Sequence, residues 1–140
     1  MKTSGISDSL LEYAHQLIAL ALREGAAEAE VYGMVGRSVD ADLRKGSVEM
    51  TSESFHRGLG LRAVVNGAVG FSSTSDMSLL EYVAQSAVKS AKVRGSDESW
   101  ISLPHPEKVM SAQGIYDTRL EQIGPEECLE AARSMLEGCI

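Results

Sequence analysis

The chain has few aromatic, proline and cysteine residues and no long apolar run. Aromatic side chains make up 5% of its 140 residues, so a buried core has to be built from Leu, Val, Ile, Ala and Met. No apolar run approaches the roughly 18 residues that a membrane-spanning helix needs, and no apolar segment typical of a secretory signal opens the sequence. With 44% hydrophobic residues, the composition predicts a globular domain, expected in the cytoplasm and not at a membrane.

Basic residues are scarce relative to acidic ones. The chain has 13 Lys and Arg against 20 Asp and Glu, which gives a net charge of −7. A surface that binds nucleic-acid phosphates needs a cluster of Lys and Arg. The charge therefore argues against a nucleic-acid partner.

Recognisable catalytic motifs are absent as well. The sequence contains no HExxH, GxSxG, phosphate-loop or CxxC pattern, and the hydroxyl residues at 72–75 have no neighbouring His or Lys to activate them. If Cys128 and Cys139 lie on one helix, about 16 Å of helical rise separates them, which is too far for a disulfide or a shared metal ion. We expect no catalytic, cofactor-binding or metal-ligating residue in these 140 residues.

The stretch 58–76 is the clearest structural signal that is present. Alternation along residues 58–65 predicts a strand. Asn66 and Gly67 favour a type I′ hairpin turn, because both tolerate a positive φ. Residues 68–72 then form the return strand, and a serine-rich loop leads into a helix.

Strands and helices are predicted on both sides of this hairpin. Three further strands are expected at residues 28–37, 38–44 and 47–55, with a turn at Lys45 and Gly46 and a polar, edge-type third strand. Helical spacing of apolar residues predicts one helix over 7–24, capped by Ser7 or Ser9. A second is expected from a capping box of Ser78 and Glu81 to its end at Gly95. A third begins at Pro125, which suits the first turn of a helix.

These elements predict an α+β domain. Its antiparallel sheet has four to five strands, two helices pack on one face, and the third helix leads toward a C-terminal domain missing from the sequence. Because Gly58 and Gly60 share one strand face, a helix or a missing part of the chain is expected to approach the backbone there. The predicted organisation is an N-terminal domain over 1–95, an extended crossing segment over 96–124 and the start of the third helix over 125–140.

The order of these motifs resembles the N-terminal domain of TldD/PmbA proteins, a family also described as modulators of DNA gyrase. The resemblance is carried by segments 29–32, 46–49, 58–62, 66–67 and 70–76, and continues at 103–104, 114–117 and 125–127. It covers nearly the whole chain and leans slightly toward the PmbA type. The positions that match the family's scaffold are Gly58, Gly60, Arg62, Gly67, Gly70 and Asp76.

The resemblance implies a cytoplasmic peptidase built from two related subunits. In TldD-type members an HExxxH helix in the later part of the chain holds zinc, so no metal ligand carries over to this sequence. The implied role of the chain is a non-catalytic first domain that supports subunit association, as a homo- or heterodimer, and a cavity for unfolded peptide or protein substrates. The alternative is a free-standing protein- or peptide-binding regulatory module of the gyrase-modulator type, without enzymatic activity.

Overall fold

The computed structural model describes residues 3–105, 110, 112–115 and 117–139, with side chains from residue 9 onward. Tyr116 of the family segment 114–117 and Ile140 of the third helix lie outside the described residues. The predicted α+β class is confirmed. In chain order the elements are α1 (Thr3–Arg23), β1 (Glu28–Arg44), β2 (Ser47–Val65), β3 (Ala68–Thr74), α2 (Leu80–Arg94) and α3 (Pro125–Gly138), with short 3₁₀ helices at Met77–Leu79 and Thr118–Gln122.

The chain divides into two compact units. Unit 1 comprises Met1–Val35 and His56–Pro106, and unit 2 comprises Gly36–Phe55 and Glu107–Ile140. Strands β1 and β2 each contribute residues to both units. The boundaries predicted near residues 95 and 124 remain predictions.

The sheet has three described strands in the order β1-β2-β3, so the expectation of four to five was wrong. Two predicted breaks, after residue 37 and at residues 56–57, continue as strand. Reversals occur instead where φ becomes positive, at Lys45 (52°) with Gly46 (76°) and at Asn66 (50°) with Gly67 (78°). No residue within β1 or β2 takes a positive φ, so each pair of predicted strands continues as one.

Strand β3 pairs with only part of β2. The antiparallel register runs from Leu59 opposite Thr74 to Val65 opposite Ala68, around the predicted two-residue turn. Among the described residues, β2 from 47 to 58 therefore neighbours β1 alone. The polar strand predicted at 47–55 is thus an edge over this part of its length.

The core of unit 1 lies between one face of the sheet and two helices, as predicted. Leu61 on β2, Leu17 on α1 and Ala87 on α2 are each fully buried in one apolar cluster. Alternation along β2 places Leu59, Leu61 and Ala63 on this face and leaves the residues between them on the other. Most core side chains are aliphatic and small, as the low aromatic content requires.

Among the described residues no helix packs against Gly58 or Gly60, and a Cβ added at Gly58 would lie 3.3 Å from the Thr74 carbonyl oxygen of β3. A Cβ added at Gly60 would lie 3.2 Å from the ring of Phe71 on the neighbouring strand, so a side chain and not a helix covers it. The helix comes close at Gly70, where an added Cβ would overlap the Ala87 carbonyl and lie 2.5 Å from the Ala91 nitrogen. Glycine at position 70 therefore allows α2 to pack directly on β3.

Two predicted helix caps were misplaced. Helix α1 begins at Thr3, so Ser7 and Ser9 lie within the helix and not at its cap. Before α2, the Asp76 carboxylate accepts a hydrogen bond from the Ser78 nitrogen at 2.9 Å and caps Met77–Leu79. The sequence pattern favoured Ser78 as the cap, but Asp76, two residues earlier, is an equally strong cap residue and takes this position.

Unit 2 contains a hairpin, a 3₁₀ turn and α3. Helix α3 begins at Pro125, as predicted, and the Glu127 carboxylate accepts the Gly124 N–H at 2.8 Å. The Cys128 thiol lies 3.8 Å from the Val39 carbonyl oxygen, which places the helix beside the hairpin. Ala132 is the one buried hydrophobic residue among the described residues of this unit.

A membrane-crossing element is not found in the described part of the chain, since none of its helices is both long and apolar enough.

Candidate interaction surface

The face of the unit 1 sheet opposite the helices is the candidate site, and we call it the open face. Alternation in β2 places Gly58, Gly60 and Arg62 on this face. The register sets Phe71 of β3 opposite Arg62. On β1, the Glu30 carboxylate lies 3.1 Å from the Arg62 guanidinium, so Glu30 belongs to the same face.

The open face carries large exposed apolar side chains. Phe71 is 64% exposed, and Tyr32, which follows Glu30 by one strand period, is 72% exposed. Met34 continues the row at 48% exposed. Single exposed apolar residues are common, but two aromatic rings and a methionine on one sheet face form a surface suited to a partner.

Glycines leave the backbone exposed at the centre of the open face. Gly58 and Gly60 have no side chain, and the Phe71 ring lies beside Gly60. An aromatic ring that covers a neighbouring strand glycine stabilises the sheet locally. The resulting shape is a shallow backbone floor, bordered by aromatic rings and by the Glu30 and Arg62 ion pair.

The structure brings together only half of the predicted scaffold positions. Gly58, Gly60 and Arg62 share the open face. Gly67 forms the hairpin turn and Gly70 packs against α2. Asp76 caps the 3₁₀ helix that precedes α2. Each has a structural explanation, and their use as a family signature remains a prediction.

Phe71 is a surface residue that sequence reasoning did not single out. The signal was available, because a two-residue turn at Asn66 and Gly67 sets Phe71 opposite Arg62. Tyr32 had no comparable signal, since the pairing of β1 depended on strand boundaries that were predicted wrongly.

Glu28 is a second residue that sequence reasoning missed. Its carboxylate accepts the Trp100 indole N–H at 2.8 Å and the Leu103 backbone N–H at 2.6 Å. These bonds, the indole first, lower the pKa of Glu28. Trp100 and Leu103 lie in the crossing segment predicted after α2, and Glu28 is the sheet residue that binds both.

The other carboxylates with lowered pKa are turn and cap residues. Hydrogen bonds from Ser78 lower the pKa of Asp76, and those from Ser99 lower the pKa of Asp97. In unit 2 the Arg119 side chain lowers the pKa of Asp117. These carboxylates hold local backbone structure and are stabilised as anions, which is the opposite of a general acid.

The described residues do not provide a zinc site. No three of their His, Cys, Asp and Glu side chains lie close enough together to hold a metal ion. A structural or catalytic zinc needs three or four such ligands. No step of a metal-dependent reaction is therefore assigned to the residues described here.

The fold defines a class, a three-stranded antiparallel sheet with two helices on one face. Residues 29–91 match the family model of PmbA/TldA metallopeptidase domain 1. The predicted resemblance is thereby confirmed, and residues 29–91 are similar to the first domain of PmbA/TldA metallopeptidases. A search of curated protein sequences finds no match.

Solved structures share the fold at low sequence identity. A proposed modulator of DNA gyrase from Bacteroides thetaiotaomicron matches with a TM-score of 0.78 and 20% identity over 91% of this chain and 30% of its own. TldE from Thermococcus kodakarensis matches with a TM-score of 0.73 and 20% identity, over 90% of this chain and 29% of its own. A proposed gyrase modulator from Thermotoga maritima matches with a TM-score of 0.66 and 19% identity, over 87% of this chain and 27% of its own. The chain thus spans less than a third of the length of these proteins.

Proposed function

We propose that this chain is a non-catalytic first domain of a TldD/PmbA-type zinc metallopeptidase that matures or degrades unfolded peptides. The match of residues 29–91 to the first domain of that family carries the proposal. Two facts support the non-catalytic role. The chain spans about 30% of its structural neighbours, and its described residues hold no metal-binding cluster.

The open face suits the supporting role in this proposal. Tyr32 and Phe71 present aromatic area above a glycine floor, and aromatic residues are enriched at protein interfaces. A related subunit that docks there, as a homodimer or heterodimer, buries these rings and borders the substrate cavity. Zinc belongs to the later part of a TldD-type chain in this scheme.

Light scattering of the purified chain over a range of concentrations tests the role in association. We expect a dimer that weakens at least tenfold when Phe71→Ser removes a central aromatic contact. Val93→Ser is the matched control, because Val93 is 88% exposed and lies on α2, on the opposite side of the sheet. Equal dimerisation of the Phe71→Ser chain contradicts this role of the open face, and a monomer at all concentrations excludes the homodimer.

A free-standing peptide-binding module is the second candidate, and one observation favours it. Residues 47–58 of β2 have only β1 beside them among the described residues, and an open strand edge accepts an extended peptide by strand addition. Added casein should then slow amide exchange at residues 47–58. Unchanged exchange rejects this candidate and leaves the first untouched.

Gyrase modulation is the role proposed in the descriptions of two structural neighbours. For this chain, the net charge of −7 disfavours direct contact with DNA. Salt-dependent binding of DNA by the purified chain would restore that candidate.

A further inference from the structure

The segment 97–103, which we call the strap, follows α2 and is fastened at two points. At its start the Asp97 N–H donates to the Asn66 carbonyl at 3.2 Å, across the hairpin turn. The Asp97 carboxylate accepts the Ser99 N–H at 2.9 Å and shapes the strap into a local turn. At its end the Leu103 N–H reaches the Glu28 carboxylate.

Glu28 fastens the strap with both carboxylate oxygens. Oε1 accepts from the Trp100 indole at 2.8 Å, and Oε2 accepts from the Leu103 N–H at 2.6 Å. Both partners are donors, so a carboxylate, with two acceptor oxygens, satisfies both. A glutamine amide has one acceptor oxygen, and its NH₂ group would face the second donor. Hydrogen bonds to a charged acceptor are about twice as strong as neutral ones.

The strap lies at one end of the open face. Glu28 precedes Glu30 by one strand period and therefore shares its face. The Ala27 N–H donates to the Val64 carbonyl at 2.8 Å, which places Glu28 and Val64 at the same end. Val64 is 1% exposed although the helix-side core cluster does not include it.

The strap has little apolar anchoring of its own. Leu103 is buried, whereas Ile101 is 93% exposed and Trp100 is only partly buried. Its closest packing is at the turn, where a Cβ added to Gly67 would overlap the Asp97 carbonyl and lie 2.9 Å from the Trp100 Cβ. Segments with few buried apolar contacts open locally at a lower free energy than the core.

We propose that the strap is a latch that opens while the sheet and helices of unit 1 stay folded. Its opening uncovers Val64 and the hairpin turn at residues 66–67, and lengthens the open face beyond Arg62 and Phe71. Glu28 is the residue that holds the latch closed. The proposal depends on the contacts of the strap and not on the proposed function.

Hydrogen exchange and tryptophan fluorescence of the full chain test the latch. Trp100 is the one tryptophan in the sequence, so its emission reports on the strap alone. Glu28→Gln should shift this emission toward that of a water-exposed indole and accelerate exchange at Trp100 and Leu103 at least about tenfold. Exchange at Leu61 and Ala63, in the centre of the sheet, should keep its wild-type rate.

Glu30→Gln is the matched control, since Glu30 lies one strand period away and pairs with Arg62 instead of the strap. It should leave the emission and exchange of the strap unchanged. Trp100→Phe provides a second variant. It removes one of the two donors, keeps the Leu103 bond and should accelerate exchange at Leu103 less than Glu28→Gln does.

Two results would overturn the latch. If Glu28→Gln accelerates exchange at Leu61 as much as at Leu103, the strap and sheet open as one body. If it changes neither the emission nor the exchange of the strap, Glu28 does not hold it. If the Glu28→Gln chain does not fold, Trp100→Phe decides. Equal acceleration of exchange in the strap and the sheet of the Trp100→Phe chain would then also overturn the latch.

Discussion

The two units of the chain are stabilised by different kinds of interaction. Among the described residues, unit 1 contains every buried hydrophobic residue except Ala132, and most of them pack between a sheet face and two helices. In unit 2, polar contacts of the Arg37 side chain replace a core: it pairs with Glu53, lies over the ring of Phe55 and donates to the Glu121 carbonyl. Apolar burial is the dominant source of folding free energy, so unit 1 should set the global stability and unit 2 should open first.

The largest expected effect comes from removing a core side chain of unit 1. Leu61→Ala deletes buried methyl groups at a position with 0% exposure, and should lower the free energy of unfolding by about 2–5 kcal/mol. Met50→Ala, at a 55% exposed position of unit 2, is the control and should cost less than about 0.5 kcal/mol. Denaturant titration measures both, and equal losses would remove the distinction between the units.

Gly70→Ala and Gly60→Ala test where the backbone approach lies. At Gly70 the new Cβ would meet the backbone of α2, which has to move, whereas at Gly60 its closest neighbour would be the ring of Phe71. We expect Gly70→Ala to cost about 3 kcal/mol and Gly60→Ala about 1 kcal/mol or less. Thermal unfolding followed by circular dichroism compares them, and the reverse order would restore the expectation drawn from the sequence.

Arg37→Met tests the polar stabilisation of unit 2. It removes the ion pair with Glu53 and the bond to the Glu121 carbonyl, with an expected cost of about 1 kcal/mol. Amide exchange should become faster in α3 and stay unchanged at Leu61. Arg44→Met is the control, because its ion pair with Glu49 is largely exposed. If exchange at Leu61 also accelerates, unit 1 depends on this cluster and the comparison fails.

Acid should weaken unit 1 through the Glu28 carboxylate, with a smaller effect than the substitutions above. The strap lowers the pKa of Glu28 below its ordinary value of 4.5. Because the folded pKa is the lower one, this contribution is fully present above the unfolded pKa and is lost as the pH falls through the folded value. The melting temperature of the wild-type chain should therefore decrease as the pH is lowered below about 4.5. The melting temperature of the Glu28→Gln chain should decrease less steeply over the same range. Parallel pH profiles for the two chains would contradict the shift.

Local signals in the sequence predicted turns well and long-range packing poorly. Asn66 and Gly67 predicted their turn because the required positive φ depends on the residues themselves. The strand count failed at residues 37 and 56–57, where β1 and β2 continue without a positive-φ residue. Partners distant in sequence were not predictable either, as with Glu28 and Trp100, which are 72 residues apart.

The proposed supporting role is tested most directly by casein hydrolysis with the purified 140-residue chain and added zinc. We predict no release of peptides above the buffer rate, because no described residues combine into a metal site. Zinc-dependent hydrolysis that a chelator abolishes would contradict the account.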